Sequence, residues 1–386
     1  MAESAVRYVA LDLHRHYALV AAVDADKEVV LEPRRVRMGD LEDWAAKHLR
    51  STDKVAIEAS TNVWATHDIL APLVAEVVVV HPTQFKIIAS SSVKTDKRDT
   101  LALARVLAAG LLTSVWVPPD HVRELRSLIN HRATLISERR DARNRLHGVL
   151  QIHNIAQPPG EIFVPAKREW WFSLELPASI QMRVRHDWEL IDVLNRQVEE
   201  AEEALTRLSV SEEWVEQVPF LVQLPGIAVP SAMTILSAVG DIRRFETADK
   251  LVGYAGLGAK VHSSGQQHHT GRISKAGRAE LRTTAVESAW IAVQYHPFWK
   301  EEYGRLARRI GNQKAIVAIA RKLLIAVWNV LTKQAADRHA DPQMVARSFY
   351  YWGGRHRLAT SIGKSRQAFV DYFMEKVQLE PIHLTM

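Results

Sequence analysis

Residues 8–32 read YVALDLHRHYALVAAVDADKEVVLE. Tyr8–Leu13 and Tyr17–Asp24 are apolar runs joined by a short polar link, which predicts two adjacent strands. Glu28–Glu32 predicts a third. One residue is out of place in this pattern: Asp12 sits inside the first apolar run. An acid there is costly unless it binds something.

Outward from this stretch, Asp40–Arg50 predicts a helix with an acidic first turn, Val55–Glu58 a short strand and Asn62–Val74 a helix. Glu76–Val80 (EVVVV) predicts a strand covered on both faces, because four β-branched residues in a row suit that setting. Thr100–Ala109 predicts an apolar helix. Three successive strands followed by alternating helix and strand form an α/β pattern that resembles the RNase H-like layout.

Val117-Pro118-Pro119 marks a boundary. Beyond it, His121–Gln151 predicts a long helix with Val122, Leu125, Ile129, Leu135, Leu146 and Leu150 at helical spacing. Its other face is expected to be basic, through Arg123, Arg126, Arg132, Arg139, Arg140, Arg143 and Arg145. After a stretch bearing Pro and Trp, Ile180–Leu208 predicts a second long helix, and two such helices suit an antiparallel pair or a coiled coil. From about Ser211 the chain predicts shorter helices: Val229–Val239, Thr247–Tyr254, Lys275–Gln294 and Gln313–Leu331. The segment rich in Ser, Gly, Gln and His before Lys275 reads as a loop, and the residues after Arg338 as a polar appendix. The expected organisation is 1–118, a catalytic α/β domain; 119–210, a long-helix assembly region; 211–338, a mostly helical domain; and 339–386, the appendix.

Composition narrows the function. The 386 residues are 47% hydrophobic and 24% charged and include no cysteine. Those proportions exclude a wholly disordered chain, and the missing cysteines exclude a disulfide scaffold, a thiolate zinc site and a cysteine nucleophile. They fit a reducing cytoplasm. No uninterrupted apolar run reaches the ~20 residues a membrane span needs. The net charge is +6 and the pI about 9.4. Residues 1–118 sum to −1 and the remainder to +7, which fits either an acidic catalytic part followed by polyanion-gripping helices or unspecialised surface charge.

Three motifs carry chemistry. Asp12, Glu58, Asp96 and Asp99 form a set of four carboxylates, two at strand ends and two at i, i+3 on one helix face. All-oxygen ligation of this kind suits Mg²⁺ or Mn²⁺, and such ions support in-line phosphoryl displacement. Either pair alone reads as helix-end chemistry; the four in this order read as a site. The turn Leu224-Pro225-Gly226-Ile227-Ala228 reads either as an ordinary link between helices or as a helix-hairpin-helix turn in which Gly226 lets backbone approach a phosphate. Ser264, directly before Gly265, reads either as loop punctuation or as an exposed nucleophile, with Arg272, Lys275, Arg278 and Arg282 supplying cationic groups for a phosphate. For His262, His268 and His269, phosphate contact or proton transfer fits better than zinc.

The blocks LDLH, IEAS, VKTDKRDT, LPGIAVPSAMTILSAVGDIRRF, YAGLGAKVHSSG, GRISKAGRAELR and AIARKLLIAVW occur in this order over residues 7–335. The set resembles the DEDD transposases of insertion sequences. The resemblance implies a RuvC-like N-terminal domain of RNase H fold, and a C-terminal transposase domain with a helix-hairpin-helix and a catalytic serine. It implies a site-specific recombinase that cuts and rejoins DNA, guided by a structured bridge RNA, with partner subunits sharing active sites in a dimer or tetramer. The family acids fall on Asp12, Glu58, Asp96 and Asp99, and the family serine on Ser264. Arg139, Arg143, Gly226, Arg272, Lys275, Arg278 and Arg282 are then the expected nucleic-acid contacts. The sequence departs from the family pattern at Ala228-Val229-Pro230, where Gly-Pro is usual, and at Ser60. The rival expectation is a metal-dependent nuclease of Holliday-junction type that hydrolyses with water. A non-catalytic DNA-binding protein is a second rival.

Overall fold

The computed structural model describes residues 6–81, 95–264 and 267–384, with backbone alone for 260–272. The chain divides into two compact units, Met1–Pro118 and Pro119–Met386.

The first unit is a five-stranded sheet of order β3-β2-β1-β4-β5. Its strands are β1 (Tyr8–Leu13), β2 (Tyr17–Val23), β3 (Val29–Arg37), β4 (Lys54–Glu58) and β5 (Glu76–Val80). The first three form an antiparallel meander, whereas β4 runs parallel to both β1 and β5. The helices are α1 (Leu41–His48), α2 (Val63–Leu70) and α3 (Asp96–Ala108). Side chains alternate across a strand, so β1 supplies two cores. Val9, Leu11 and Leu13 join Val20, Val55, Ile57, Leu41, Trp44 and Leu70 on one face. Ala10 joins Ala56, Val23, Val78 and Val80 on the other, against Leu103, Ala104 and Leu107 of α3. Two alanines at the centre of that second face leave room for the helix to lie close.

β3 extends to Arg37, well past the expected Glu32, because its residues continue to pair with β2 as far as Tyr17↔Arg37. Arg7 fixes the start of β1: its guanidinium bonds the wholly buried Asp53 at 3.0 and 2.6 Å, and Asp53 also accepts from the Arg50 amide. A buried charge is tolerable when paired in this way.

The second unit is helical. Its long members are α4 (Asp120–Ile152) and α6 (Ala178–Leu208), with the short α5 (Arg168–Phe172) between them. Arg132 bonds Glu202, Arg139 bonds Asn195 and Arg145 bonds Asp187, so residue numbers fall along one helix as they rise along the other: the pair is antiparallel. Leu135 meets Leu194 and Val198 on the same seam. Trp171 is fully buried under this pair beside Phe163 and Trp188, and its indole N–H donates to the Ile162 carbonyl at 2.9 Å.

Next come α7 (Val218–Val222), α8 (Val229–Val239), α9 (Ala248–Tyr254), the hairpin β6 (Ala259–Ser264) and β7 (Gln267–Ile273), α10 (Ala279–Tyr295), α11 (Pro297–Ile310) and α12 (Asn312–Lys333). α12 is long and apolar enough to pass as a membrane span by length and composition. Its apolar residues are spent on packing against α9, α10 and α11.

Two regions differ from the sequence reading. The expected loop before Lys275 is the β6–β7 hairpin, paired from Ala259↔Ile273 to Ser264↔Gln267. The β-branched Val261, Thr270 and Ile273 favour this state over the loop that their polar neighbours indicate. The expected appendix holds α13 (Pro342–Gly354) and α14 (Arg366–Lys376). Phe349, Trp352, Phe369 and Phe373 form a buried aromatic cluster there, and the Trp352 indole donates to Ser209 Oγ at 2.9 Å. These aromatics fall in two short runs, FYYW and FVDYF, too brief to show a helical period, yet they make the segment an integral part of the second unit.

Gly226, in the turn between α7 and α8, has φ +83°, and a Cβ there would lie 2.2 Å from the Ser288 carbonyl oxygen of α10. The close backbone approach this glycine permits is thus to α10. Gly226→Ala combines left-handed strain with overpacking and should destabilise the protein by about 2–4 kcal/mol. Urea unfolding of the purified chain checks this; an unchanged midpoint would remove the packing role.

Candidate active site

Asp12 and Glu58 are brought to one place by register. Leu11 of β1 pairs with Ile57 of β4 in parallel, so Asp12 and Glu58 come next on adjacent strands. Alternation then sets Asp12 on the face of Ala10 and Glu58 on that of Ala56, the face that α3 covers. α3 starts at that edge. Its N-cap Thr95 accepts from the Arg98 amide through Oγ1 at 3.4 Å, and Asp96 and Asp99 occupy the first turn. The positive end of a helix dipole favours acids there.

Among the described residues, Asp12, His14 and Asp96 form a group whose ligand atoms all lie within 4.8 Å of one another. His14 Nε2 is 3.2 Å from Asp12 Oδ2 and 3.7 Å from Asp96 Oδ2. Glu58, half-buried at the end of β4, and Asp99 lie outside this group. Burial pushes the Asp12 carboxyl above its ordinary 3.8; the charges of Asp96 and Asp99 add to this, and His14 partly opposes it. A half-buried acid crowded by two others is electrostatically suited to a divalent cation. Two carboxylates and an imidazole form a donor set that Mg²⁺ accepts in part and Mn²⁺ accepts well. His14 was absent from the expected site. Its signal was present in D-L-H, since residues at i and i+2 of a strand share a face.

The expected nucleic-acid contacts are dispersed. The arginines of α4 do not form one free basic face. Arg132, Arg139 and Arg145 bond to α6, Arg126 donates to the carbonyls of Ser237 and Ala238 at the end of α8, and Arg143 lies 5.2 Å over the Phe163 ring. The helical period turns most of them toward protein, where they replace water contacts with α6 and α8. Arg282 donates to the carbonyls of Ala255 and Lys275, closing the base of the β6–β7 hairpin, while Arg278 bonds the Tyr254 hydroxyl and Glu280. Lys275 is exposed with φ +54°. The side chains of Ser264, Arg272, His262, His268 and His269 lie outside the described residues. The backbone of Ser264 is the last residue of β6, facing Gln267 of β7.

The raised pKa gives a signed expectation. An acid that protonates more readily when folded costs stability while ionised, fully so above its folded value, and the cost vanishes as pH falls below 3.8. Asp12→Asn should therefore raise the melting midpoint in metal-free buffer at pH 7, with the gain fading toward pH 4. The same variant should lose Mn²⁺ binding in calorimetric titration, and His14→Ala should weaken it by about 10–100-fold. A midpoint lowered at pH 7, or Mn²⁺ affinity unchanged in both variants, would contradict this account.

Comparison with known proteins agrees with the geometry. Residues 9–155 match the IS110 DEDD transposase family, and residues 219–304 match the Transposase IS116/IS110/IS902 family. The putative transposase y4qE of Sinorhizobium fredii is 29% identical over 300 residues, covering 75% of this chain and 71% of that protein. The transposase for insertion sequence element IS1111A of Coxiella burnetii is 26% identical, covering 64% and 68%. The pilin gene-inverting protein of Moraxella bovis is 26% identical, covering 66% and 72%. The first family spans the strands and helix that gather the acids, the second spans the helices and hairpin around Ser264, and the chain belongs to the IS110-family DEDD transposases, enzymes of DNA transposition and recombination.

Proposed function

We propose that this transposase cuts and rejoins DNA at the ends of an insertion sequence through its DEDD acids and the serine Ser264. The observation that carries the proposal is the convergence of Asp12, His14 and Asp96 at one sheet edge, with Glu58 in register beside Asp12. The strand order β3-β2-β1-β4-β5, with the first three antiparallel, supports an RNase H-like, RuvC-like reading of residues 1–118. The helical remainder serves assembly through 119–210 and strand handling through 211–338, where the α7–turn–α8 segment is the helix-hairpin-helix. The C-terminal helices complete that helical part.

Asp12, Glu58, Asp96 and Asp99, with His14, would hold Mg²⁺ or Mn²⁺. Bound there, the ion neutralises charge on the phosphate oxygens. The Ser264 hydroxyl forms a new O–P bond as the bond to a deoxyribose oxygen breaks. The serine proton passes to a nearby base, and one proton delivered from that base or from water lets the departing oxygen leave as a sugar hydroxyl. The phosphoserine bond keeps the energy of the broken linkage, so the reverse attack by a sugar hydroxyl rejoins strands without an external energy source. A bridge RNA supplies sequence choice, and two or four subunits share active sites, with the acids of one completing the serine of another. The enzyme works in the cytoplasm, at the nucleoid when bound to DNA.

A hydrolytic nuclease would need no serine and leave no adduct, so trapping separates the two mechanisms. On nicked DNA bearing the element ends, the wild-type protein should form a covalent adduct in Mg²⁺ but not in EDTA, and mass spectrometry should map it to Ser264. Ser264→Ala should lose the adduct and reduce recombination by roughly a thousandfold or more, while retaining DNA binding. Ser264→Ala mixed with Asp12→Asn should regain part of the activity. An adduct on Ser263, or cleavage without any adduct, would overturn the serine mechanism; failure of the mixture with both variants assembled would overturn the shared site.

A further inference from the structure

Two arginines from separate elements meet on one phenol in the second unit, and a third stands nearby. Arg244, just before Phe245, lies 4.6 Å over the Tyr254 ring at the end of α9. Arg278, just before α10, donates through Nε to the Tyr254 hydroxyl at 3.1 Å. Arg126 of α4 lies within electrostatic reach of both. The arrangement is built rather than incidental. The Arg278 amide donates to the Tyr254 carbonyl at 2.9 Å, and Gly277, at φ +132°, packs so close that a Cβ would fall 2.2 Å from that same carbonyl oxygen. Arg126 is held through Nε on the Ser237 carbonyl at 2.8 Å.

This concentration of positive charge is only partly offset. The Glu280 carboxylate accepts from Arg278 at 2.9 Å. Burial and the neighbouring charge of Arg278 still bring Arg126 down to about 10. Burial raises the Tyr254 phenol, but Arg278 and Arg244 outweigh it and leave the phenol below its ordinary 10.0. The crowding falls on Arg126 alone, since the Tyr254 phenol and Glu280 hold Arg278 above its ordinary range. Access is open at Arg244, which lines a depression of about 430 Å³ with Phe245, Glu246, Tyr254 and the exposed Lys250, and Arg278 adjoins it through the Tyr254 hydroxyl.

We propose that Arg244 and Arg278 around Tyr254, with Lys250 beside them, form a phosphate-binding clamp for the backbone of a nucleic-acid strand. Guanidinium groups suit phosphate oxygens because their paired N–H donors match the spacing of two oxygens. The clamp sits at the base of the β6–β7 hairpin, where Ser274 donates to the Gly258 carbonyl and Lys275 to the Gly256 carbonyl. A strand held there would be anchored on the same rigid base that supports the backbone of Ser264. The clamp rests on the reading of the chain as a strand-cutting enzyme for its purpose, but not for its existence.

The test is the salt dependence of binding, measured by fluorescence anisotropy on the full chain with mixed-sequence duplex DNA and, separately, an RNA stem. Each lost phosphate contact lowers the slope of log K against log salt by about 0.9 on B-DNA. Arg244→Gln should show that fall, and Arg244→Lys should restore the wild-type slope. A fall on DNA alone places a DNA strand in the clamp, and a fall on RNA alone places an RNA strand there; both support it. Lys250→Gln, a surface change that leaves the packing intact, should give a smaller fall and decides the matter if Arg244→Gln does not fold. Wild-type slopes on both nucleic acids, or weaker binding at an unchanged slope, would overturn the clamp. These slopes are read without cleavage, so they stand apart from the adduct experiment: a chain lacking the adduct but showing the slope change keeps the clamp and loses the serine mechanism.

Discussion

Everything in the first unit depends on one geometric constraint: a strand buried on both faces must divide its side chains between them. In β1 the larger residues Val9, Leu11 and Leu13 go to the α1–α2 side, and Ala10 and Asp12 to the α3 side. The small alanine lets α3 approach, and the acid then meets the start of that helix. Moving β1 by one residue would send Asp12 into the apolar core and Leu11 to the site, so register and chemistry are fixed together. The Arg7–Asp53 pair, tying the start of β1 to the turn before β4, holds the two parallel strands at the register that aligns Asp12 with Glu58.

The helical unit solves a different problem. A strongly basic chain must place its arginines without mutual repulsion, and many of them here are used as internal fasteners. Arg132, Arg139 and Arg145 stitch α4 to α6, and Arg282 ties the hairpin base to the end of α9. Glu202 receives both Arg132 and Arg355, linking the long helices to the C-terminal segment. The guanidinium fork with its several donors makes such multiple attachments possible where an ammonium would not. A net positive charge alone therefore does not locate a nucleic-acid surface. What distinguishes the Tyr254 cluster is that Arg244 over the ring and Arg278 at the hydroxyl share one phenol.

The sequence by itself determined the five strands of the first unit and most helices, because their periods are local. It also determined the order of the acids and the family, through long blocks such as VKTDKRDT. Tertiary structure decided the rest. His14 joined the site because the end of β1 lies beside the start of α3, a contact between residues 82 positions apart in the chain. Gly226, read either as part of an ordinary link between helices or as an opening toward phosphate, has the side a Cβ would take filled by the Ser288 carbonyl of α10, which helix packing brings to it. The supposed basic face of α4 disappeared because its partners, Glu202, Asn195 and Asp187, lie on a helix whose direction and register no local pattern specifies. Residues after Arg338 looked polar because their aromatics are spaced for convergence across two helices and not along one. The dividing line is physical: periodicity and spacing record what neighbours along the chain can do, whereas the pairing of a charge, the filling of a glycine's open side and the completion of a ligand set depend on which distant surface arrives.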